Sequence, residues 1–286
     1  MRLKTRNALT GLGFALPFLA GFALLYLIPF VWSVSMTFTS GAGGMHFVGW
    51  KNYTDLFKSS AFQLAVRNTF RFIGIGVPLV MALSFLLALT LYRKFRGAIF
   101  FRSAFLLPLV IPVASVVIVV QAFFEKSGLV NQFLALLGVP GQDWIRTPYA
   151  FPILLGLYVW KNCGYNLVLF LAGLSAVPTD YADAATCDGA SGGQVLWRIT
   201  MPLMIPNFFF VFVISIINAF KTFREAYLLG GSRPHESIYM LQHFMNNNFQ
   251  NLSYARLSTA ALLIFTVIFL LVLLLFRVKR KHEVMV

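Results

Sequence analysis

Two groups of polar side chains interrupt long apolar stretches of this 286-residue chain. They are Lys161, Asn162, Tyr165 and Asn166 in the first stretch and Asn218, Lys221, Arg224 and Glu225 in the second. Charged and amide groups are costly at membrane depth, so they either line a path for a polar solute or hydrogen-bond between helices. Both interpretations stay open for each residue. The candidates for a solute path are Asn162, Tyr165, Asn166, Asn218 and Lys221, with Tyr165, Asn166 and Asn218 preferred.

The same residues also allow a local ion pair and argue against catalysis. Lys221 and Glu225 are i,i+4 neighbours, which predicts that they pair on one helical face. A hydrolase would need a catalytic pair, but Glu225 is the sole acid inside an apolar stretch and no Ser/His/Asp cluster accompanies it. The four histidines are widely spaced and expected in loops or the tail, so no metal site is predicted. A membrane-embedded enzyme is therefore disfavoured.

Composition indicates that lipid surrounds much of the chain. Hydrophobic residues make up 59% of it and charged residues only 11%, and the mean hydropathy is +0.78. Soluble proteins carry about 25% charged residues. The net charge of +14 does not indicate nucleic-acid binding, because the basic residues are dispersed between apolar runs and form no single stripe.

Six apolar runs are long enough to cross a bilayer as helices. They are continuously apolar, unlike the alternating strands of a membrane barrel. We therefore predict one all-α membrane domain over residues 1–286, a bundle of six transmembrane helices with a helical hairpin in the loop at 176–206. The predicted spans are about 11–36, 70–92, 103–124, 150–174, 207–229 and 257–276.

Lysine and arginine predominate at one set of span ends, with dense clusters at 93–96 and 277–281. Basic residues near span ends are enriched on the cytoplasmic side of a membrane. Both termini and the loop at 176–206 are therefore expected in the cytoplasm, and an even number of spans agrees with this.

The loop at 176–206 carries signals for a first short helix. Asp180 is its predicted N-cap, and Asp183 lies three residues further on, as in a capping box. Asp188-Gly189 is predicted to end the helix, because glycine adopts the left-handed conformation without penalty.

A second short helix is predicted to follow in the same loop. Ser191 and Gln194 form the S-x-x-Q pattern of a capping box. Pro202 and Pro206 are expected to end this helix and lead into the fifth span. The resulting hairpin either fits a groove on a partner or is a connector on the membrane surface.

The hairpin contains Asp183-Ala-Ala, then Gly189, then Ile199-x-Met201-Pro202. This spacing resembles the EAA signature of binding-protein-dependent ABC importer permeases, which is E-A-A, three residues, G, nine residues and I-x-L-P. Asp replaces the usual Glu and Met replaces the usual Leu. The residues for which the resemblance implies coupling to an ATPase are Asp183, Ala184, Ala185, Asp188, Gly189, Ala190, Ile199 and Pro202.

Further segments extend the resemblance over nearly the whole chain. Phe47–Tyr53 looks like the first outer loop of sugar permeases of the maltose and multiple-sugar type, and Ser237–Phe249 is similar to a subgroup in Gram-positive bacteria. The family resemblance implies a type I ABC importer permease in the bacterial cell membrane that carries a sugar by alternating access, with an oligosaccharide favoured.

The resemblance also implies partners. They are a second, homologous but different permease chain, two ATPase subunits and an extracytoplasmic sugar-binding protein that meets the loops at 39–68, 125–149 and 230–256. ATP and Mg²⁺ are expected on the ATPase subunits and no cofactor on this chain. Ser191-Gly-Gly-Gln194 copies part of an ATPase signature, but the sequence has no G-x-x-x-x-G-K-[ST] loop to hold phosphates.

One alternative to an importer stays open at this point. A channel or a passive assembly factor would also contain the six spans, although it would leave the hairpin unexplained. The identity of the sugar is not contained in these residues, because common side chains recognise neutral hydroxyl groups.

Overall fold

The computed structural model describes residues 2–41, 46–92 and 96–283, and most of these residues are helical. The first part of the chain contains α1 (Arg2–Phe22), a π-helical stretch (Ala23–Leu27), α2 (Ile28–Met36), the two-residue strands β1 (Thr39–Ser40) and β2 (His46–Phe47), α3 (Lys51–Lys58), α4 (Ser60–Tyr92), α5 (Ala98–Val110), α6 (Val113–Phe124) and α7 (Leu129–Leu136).

The second part begins with a 3₁₀ turn, which is followed by the long helix α8 (Ala150–Ala176). Its elements are the 3₁₀ turn (Trp144–Arg146), α8 (Ala150–Ala176), α9 (Thr179–Cys187), α10 (Gly192–Val195), a π-helical stretch (Leu196–Thr200), α11 (Met201–Leu203), α12 (Ile205–Lys221), α13 (Phe223–Gly230), a second 3₁₀ turn (Glu236–Ile238), α14 (Leu241–Gln250) and α15 (Tyr254–Glu283).

The helices confirm an all-α membrane protein, whereas the count of six spans stays a prediction. Among the described residues, five segments are long and apolar enough to cross a membrane. They are Gly11–Met36, Ser60–Tyr92, Val113–Leu136, Ala150–Ala176 and Ile205–Gly230. Two shorter apolar helices are Ala98–Val110 and Tyr254–Leu270. The part of the basic cluster at 93–95, which supports the predicted orientation, lies outside the described residues.

The third predicted span, 103–124, is wrong as a continuous helix. The chain leaves the helical conformation at Ile111, with φ −69° and ψ 130°, and α6 starts after Pro112. Proline lacks an N–H donor and disfavours the α conformation of the residue before it, which explains the break. The fifth span is different, because Thr222, between α12 and α13, keeps right-handed helical angles of φ −63° and ψ −7°.

The chain divides into two compact units, and the predicted single domain boundary of 1–286 stays a prediction. One unit contains Met1–Phe62 and Met245–Ile268, and the other contains Gln63–Phe244 and Phe269–Val286. In the first unit β1 and β2 are antiparallel, with Thr39 opposite Phe47. The side-chain amide of Asn52 donates to the carbonyls of Thr37 and Thr39 and fixes this hairpin against α3.

In the second unit α8 is the central helix, and it packs against α5 and α12. One apolar cluster surrounds the buried Tyr158 ring, which meets Phe72 edge-on at 5.3 Å between centroids. A second cluster surrounds Phe170, whose ring lies 4.8 Å from Phe208. Large aromatic side chains thus fill the spaces between the helices that carry the polar residues.

Gly164 allows α5 to approach α8 closely. A Cβ atom at this position would lie 1.7 Å from the carbonyl oxygen of Phe105. No side chain fits there, so the absence of a Cβ is a requirement of the packing. Small residues at contact points are the usual means by which membrane helices bring their backbones together.

Candidate functional site

The first helix of the hairpin, α9, begins at Thr179, two residues earlier than an N-cap at Asp180 would place it. Its N-cap is Pro178, which provides no side-chain hydrogen bond, so the prediction of Asp180 as the N-cap is wrong. Asp180 lies instead in the first helical turn, where its charge interacts favourably with the helix dipole. The reason for the shift is that Pro178, with φ −61° and ψ 131°, already sets the extended conformation that precedes a helix.

The turn after α9 has the hydrogen bonds of a Schellman motif. The N–H of Ala190 donates to the carbonyl of Ala185 at 2.9 Å, and the N–H of Gly189 donates to the carbonyl of Thr186 at 3.0 Å. Gly189 has φ +86°, the left-handed conformation that favours glycine. The prediction that Asp188-Gly189 ends the first helix is confirmed.

The capping box of the second helix is also confirmed. The backbone N–H of Gln194 donates to Oγ of Ser191 at 3.4 Å, and the N–H of Ser191 donates to Oε1 of Gln194 at 2.7 Å. After one α-helical turn the chain continues as the π-helical stretch Leu196–Thr200. Both ends of the connection between α9 and α10 are therefore fixed by local hydrogen bonds.

Most of the predicted coupling residues are accessible on the surface of this chain. Asp183, Ala184, Asp188, Gly189 and Pro202 are exposed. Ala185, Ala190 and Ile199 are half-buried. Two large side chains on the hairpin are also exposed, Tyr181 by 57% and Trp197 by 69%. A rigid hairpin with alanines and aromatic rings on its surface can dock into a protein groove, although the role of each residue stays a prediction.

The two ends of the hairpin are joined to each other at the base. The side-chain amide of Asn207, in α12, donates to the carbonyl of Leu169 in α8 at 3.0 Å. A Cβ at Gly173 would lie 2.4 Å from Cγ of Asn207, so glycine makes room for this contact. A displacement of the hairpin therefore acts on α8 and α12 together.

The ion pair inside the helical unit differs from the predicted one. Nζ of Lys161 in α8 lies 2.5 Å from Oε1 of Glu225 in α13, and their side chains are 21% and 7% exposed. The prediction that Lys221 pairs with Glu225 is wrong, because Lys221 is exposed whereas Glu225 is buried against Lys161. The other carboxylate oxygen of Glu225, Oε2, is buried and makes no hydrogen bond within the described structure.

Two of the candidate pathway residues form hydrogen bonds inside the protein. Asn166 is fully buried, and its side-chain amide donates to Oγ of Ser215 in α12 at 2.8 Å. Asn162 is 7% exposed and donates to the carbonyl of Tyr158, one turn earlier in α8. Asn166 thus bonds to a neighbouring helix and Asn162 to its own helix, and for both residues the geometry favours a structural contact over contact with a solute.

Tyr165 and Asn218 occupy a different environment. Both are half-buried, and Lys221 is exposed, so these three candidates reach the surface of the chain. Tyr165 lies on α8 and Asn218 on α12, and these two helices pack together. The candidates that can still contact a solute therefore lie on the accessible edge of the pair formed by α8 and α12.

Two further polar residues with a structural role were not identified from the sequence. Asn131, 6% exposed, accepts hydrogen bonds from the N–H of Gln142 and from Nε1 of Trp144. His243 was expected in a loop, which is wrong, because it is fully buried in α14. Its Nδ1 accepts from the N–H of Met240, and burial lowers its pKa to about 4. Single polar residues outside a motif give no sequence signal for such contacts.

Neither a metal cluster nor a catalytic cluster was predicted from the sequence. Within residues 2–41, 46–92 and 96–283, no group of three His, Cys, Asp or Glu side chains is placed to hold a metal ion.

The family of the chain follows from its sequence. Residues 74–281 match the model of the family described as the binding-protein-dependent transport system inner membrane component. A probable ABC transporter permease protein of Bacillus subtilis, YesP, is 30% identical over 283 residues, which cover 95% of this chain and 91% of that protein. The chain therefore belongs to this family, and it is a multi-pass permease component of an ABC importer.

Other relatives have more specific names. The arabinooligosaccharides transport system permease AraP of Bacillus subtilis is 32% identical, over 76% of this chain and 70% of that protein. The trehalose/maltose transport system permease MalF of Thermococcus litoralis is 30% identical, over 82% and 81%. These relatives are transport permeases, not enzymes.

A solved structure confirms the fold. A chain of a bacterial ABC transporter involved in the import of the acidic polysaccharide alginate superposes with a TM-score of 0.85, over 98% of this chain and 99% of that chain. The sequence identity is 22%, so this similarity supports the fold of an ABC importer permease and nothing about the cargo.

Proposed function

We propose that this permease carries a sugar, with an oligosaccharide favoured, from an extracytoplasmic binding protein into the cytoplasm. Relatives named for arabinooligosaccharides, for trehalose and maltose, and for lactose support a carbohydrate cargo. A relative named for sn-glycerol-3-phosphate shows that the family also carries phosphorylated polyols.

The hairpin formed by α9 and α10 is the proposed site of coupling to the ATPase. The observation that carries this assignment is its exposed, doubly capped geometry at the residues that match the EAA signature. ATP and Mg²⁺ are bound by two separate ATPase subunits, and this chain binds no cofactor. Closure of those subunits moves the hairpin, and the Asn207 contact transmits the movement to α8 and α12.

The proposed arrangement places both termini and the hairpin in the cytoplasm. The excess of Lys and Arg at the same span ends supports this orientation. A second permease, homologous but different, completes the translocation path. Alternating access then moves one bundle against the other around a site near the middle of the membrane.

The side chains proposed to contact the sugar are Tyr165, Asn218 and Lys221. They are accessible on this chain, whereas Asn162 and Asn166 are buried between helices. An aromatic ring, an amide and an ammonium group match the apolar faces and hydroxyl groups of a sugar.

The coupling proposal is tested by exchanging charge on α9. Asp183→Lys changes an exposed residue of the signature, and Asp180→Lys is the matched control one turn earlier, also exposed. In nanodiscs that contain the complete transporter, we expect Asp183→Lys to lower the ATPase activity stimulated by the binding protein at least about tenfold, a loss of about 1.4 kcal/mol of coupling. Normal membrane insertion and normal activity of the control are expected as well.

Two outcomes of this experiment contradict the proposal. Full stimulation of the ATPase in Asp183→Lys would show that the hairpin does not couple at this residue. Equal loss in both variants would show a general effect of charge. The cargo is tested separately, by measuring ATPase stimulation with binding protein loaded with arabino-oligosaccharide, maltose or lactose.

A further inference from the structure

Helix α7 has an apolar side that no residue in the described part of the chain covers. Leu129, Phe133, Leu136 and Leu137 are exposed by 50%, 63%, 84% and 64%. No charged residue occurs between positions 127 and 142. Each large apolar side chain left in water costs about 1.5–3 kcal/mol relative to burial, so four together require a covering phase.

The helix that precedes α7 is the first indication of what contacts this apolar side. Helix α6 ends at Phe124, only a short turn before Leu129, and the combined segment Val113–Leu136 is apolar enough for a membrane. Ile118 and Val119 of α6 are exposed by 65% and 55%. The uncovered side of α7 therefore continues the apolar surface of a membrane-spanning helix.

The backbone around α7 is arranged in a way that suits a lipid environment. Non-helical backbone groups near hydrocarbon need partners inside the protein. The side-chain amide of Asn131 lies 3.1 Å from the carbonyl of Glu125, 3.0 Å from that of Lys126 and 2.7 Å from that of Gln142. One buried side chain thus supplies hydrogen-bond donors to backbone carbonyl groups that precede α7 and to one that follows it in the sequence.

Aromatic residues lie where the chain leaves this region. Nε1 of Trp144 donates to Oδ1 of Asn131 at 2.8 Å, and the Trp144 ring meets the ring of Tyr149 edge-on at 5.1 Å. Tyr149 is exposed by 52%, and the first charged residues after α7, Asp143 and Arg146, are close to this pair. Tryptophan and tyrosine beside charged residues are typical of the membrane–water interface.

We propose that residues 129–139, which we call the interfacial segment, lie in the lipid interface and not in an aqueous loop. Leu129, Phe133, Leu136 and Leu137 contact acyl chains of the leaflet at the end of α6. Since α8 crosses the membrane between this region and the hairpin, the segment lies at the face opposite the hairpin. The occupant of the uncovered side is lipid, so residues 129–139 are excluded from the contact with the binding protein that is expected for the loop at 125–149.

The proposal is tested with spin labels in the complete transporter, reconstituted in nanodiscs of phosphatidylethanolamine and phosphatidylglycerol. Single cysteines replace Phe133 and Leu136 after Cys163 and Cys187 have been changed to serine. Comparison labels replace Gln132 and Ala135, which are also exposed and lie on the flank of α7 beside Leu136. We expect oxygen to relax labels 133 and 136 more than a water-soluble nickel chelate does, and the chelate to dominate at 132 and 135.

Three results would overturn the proposal. Preference for the chelate at 133 and 136 would place the segment in water. Exclusion of both reagents at these positions would indicate a contact with another protein chain. Exclusion of both reagents that appears only after the binding protein is added would assign the surface to that protein.

A second measurement covers a labelled variant that fails to assemble. Phe133→Trp is a conservative change of ring size, and quenching of its fluorescence by lipids brominated on the acyl chains reports the same contact. The expected result is a larger fraction of quenched emission than in the wild-type chain, and an unchanged fraction contradicts the proposal. Neither measurement depends on the cargo or on ATPase coupling.

Discussion

The ion pair between Lys161 and Glu225 predicts that the permease is stable when both charges are present or both are absent. It is expected to lose stability when only one of the two charges remains. Glu225→Gln removes the carboxylate and leaves the Lys161 ammonium, 21% exposed, without its partner. Removal of one member of a buried pair typically costs 3–5 kcal/mol, because the remaining charge is uncompensated. We expect about 3 kcal/mol here, at the lower end, since the lysine reaches some solvent.

The double variant Lys161→Met/Glu225→Gln separates the pair from its surroundings. It contains no charge at either position, so the predicted loss is only about 1 kcal/mol or less. Each single variant, Glu225→Gln or Lys161→Met, is expected to lose about 3 kcal/mol, so the predicted coupling energy is about 5 kcal/mol. Lys221→Met is the matched control, because Lys221 is exposed and lies on the neighbouring helix. Its change is expected to stay within about 0.5 kcal/mol.

The measurement is reversible unfolding of the purified permease in mixed micelles, followed by circular dichroism for the four proteins. Additive losses in the two single variants and the double variant would refute the reasoning, since they would show that the two charges do not interact. A stable Glu225→Gln permease that no longer supports uptake would also refute it and would place Glu225 in the transport path.

Three further predictions concern packing, the loop and pH. Gly164→Ala is expected to prevent stable assembly, because its Cβ would overlap the Phe105 carbonyl. Gly156→Ala is expected to be tolerated, because a Cβ there meets open space. The measurement is the recovery of both variants from membranes. Asn131→Ala is expected to increase proteolytic cleavage within residues 125–147 and to cost about 2–4 kcal/mol, because buried donors and acceptors lose their partner. The lowered pKa of His243, about 4 against 6.5 when unfolded, predicts that stability is constant above pH 6.5 and falls by up to about 3 kcal/mol toward pH 4, and that His243→Gln loses this dependence.

Local features of the hairpin could be predicted from the sequence because they depend on neighbouring residues. The glycine turn at Gly189 and the capping box of Ser191 and Gln194 each involve groups within a few positions of one another. The start of α9 was missed for an equally local reason. Both Asp180 and Pro178 are acceptable at a helix start, and the extended conformation at the proline decided between them.

Contacts between distant residues could not be predicted in the same way. Lys161 and Glu225 are 64 positions apart, and only the packing of the helices brings them together. A pairing of Lys221 with Glu225 is the natural expectation from i,i+4 spacing, but Glu225 faces the buried side and Lys221 the exposed side. The same limit applies to Asn166, whose partner Ser215 is contributed by another helix.

The break at Pro112 could be predicted only in part. Proline can either bend or end a membrane helix, and sequence alone does not tell which of the two happens at a given residue. The extended conformation of both Ile111 and Pro112 ends α5 at this point. As a result, the apolar run divides into a short helix and a segment that continues to α7.

The π-helical stretch Leu196–Thr200 sets the direction in which the hairpin faces. In this stretch the N–H of Met201 bonds to the carbonyl of Leu196, so the helix contains one residue more than regular α-helical winding would need. Each residue of an α-helix turns the chain by about 100°. Deletion of a single residue between Leu196 and Thr200 would thus restore regular winding and rotate everything before it, including Ser191 and the adjoining α9, by about that angle relative to α12. The one extra residue of the π-helical stretch therefore determines the rotation of the hairpin about the helix axis. A change in this stretch alone would present a different side of the hairpin to a partner.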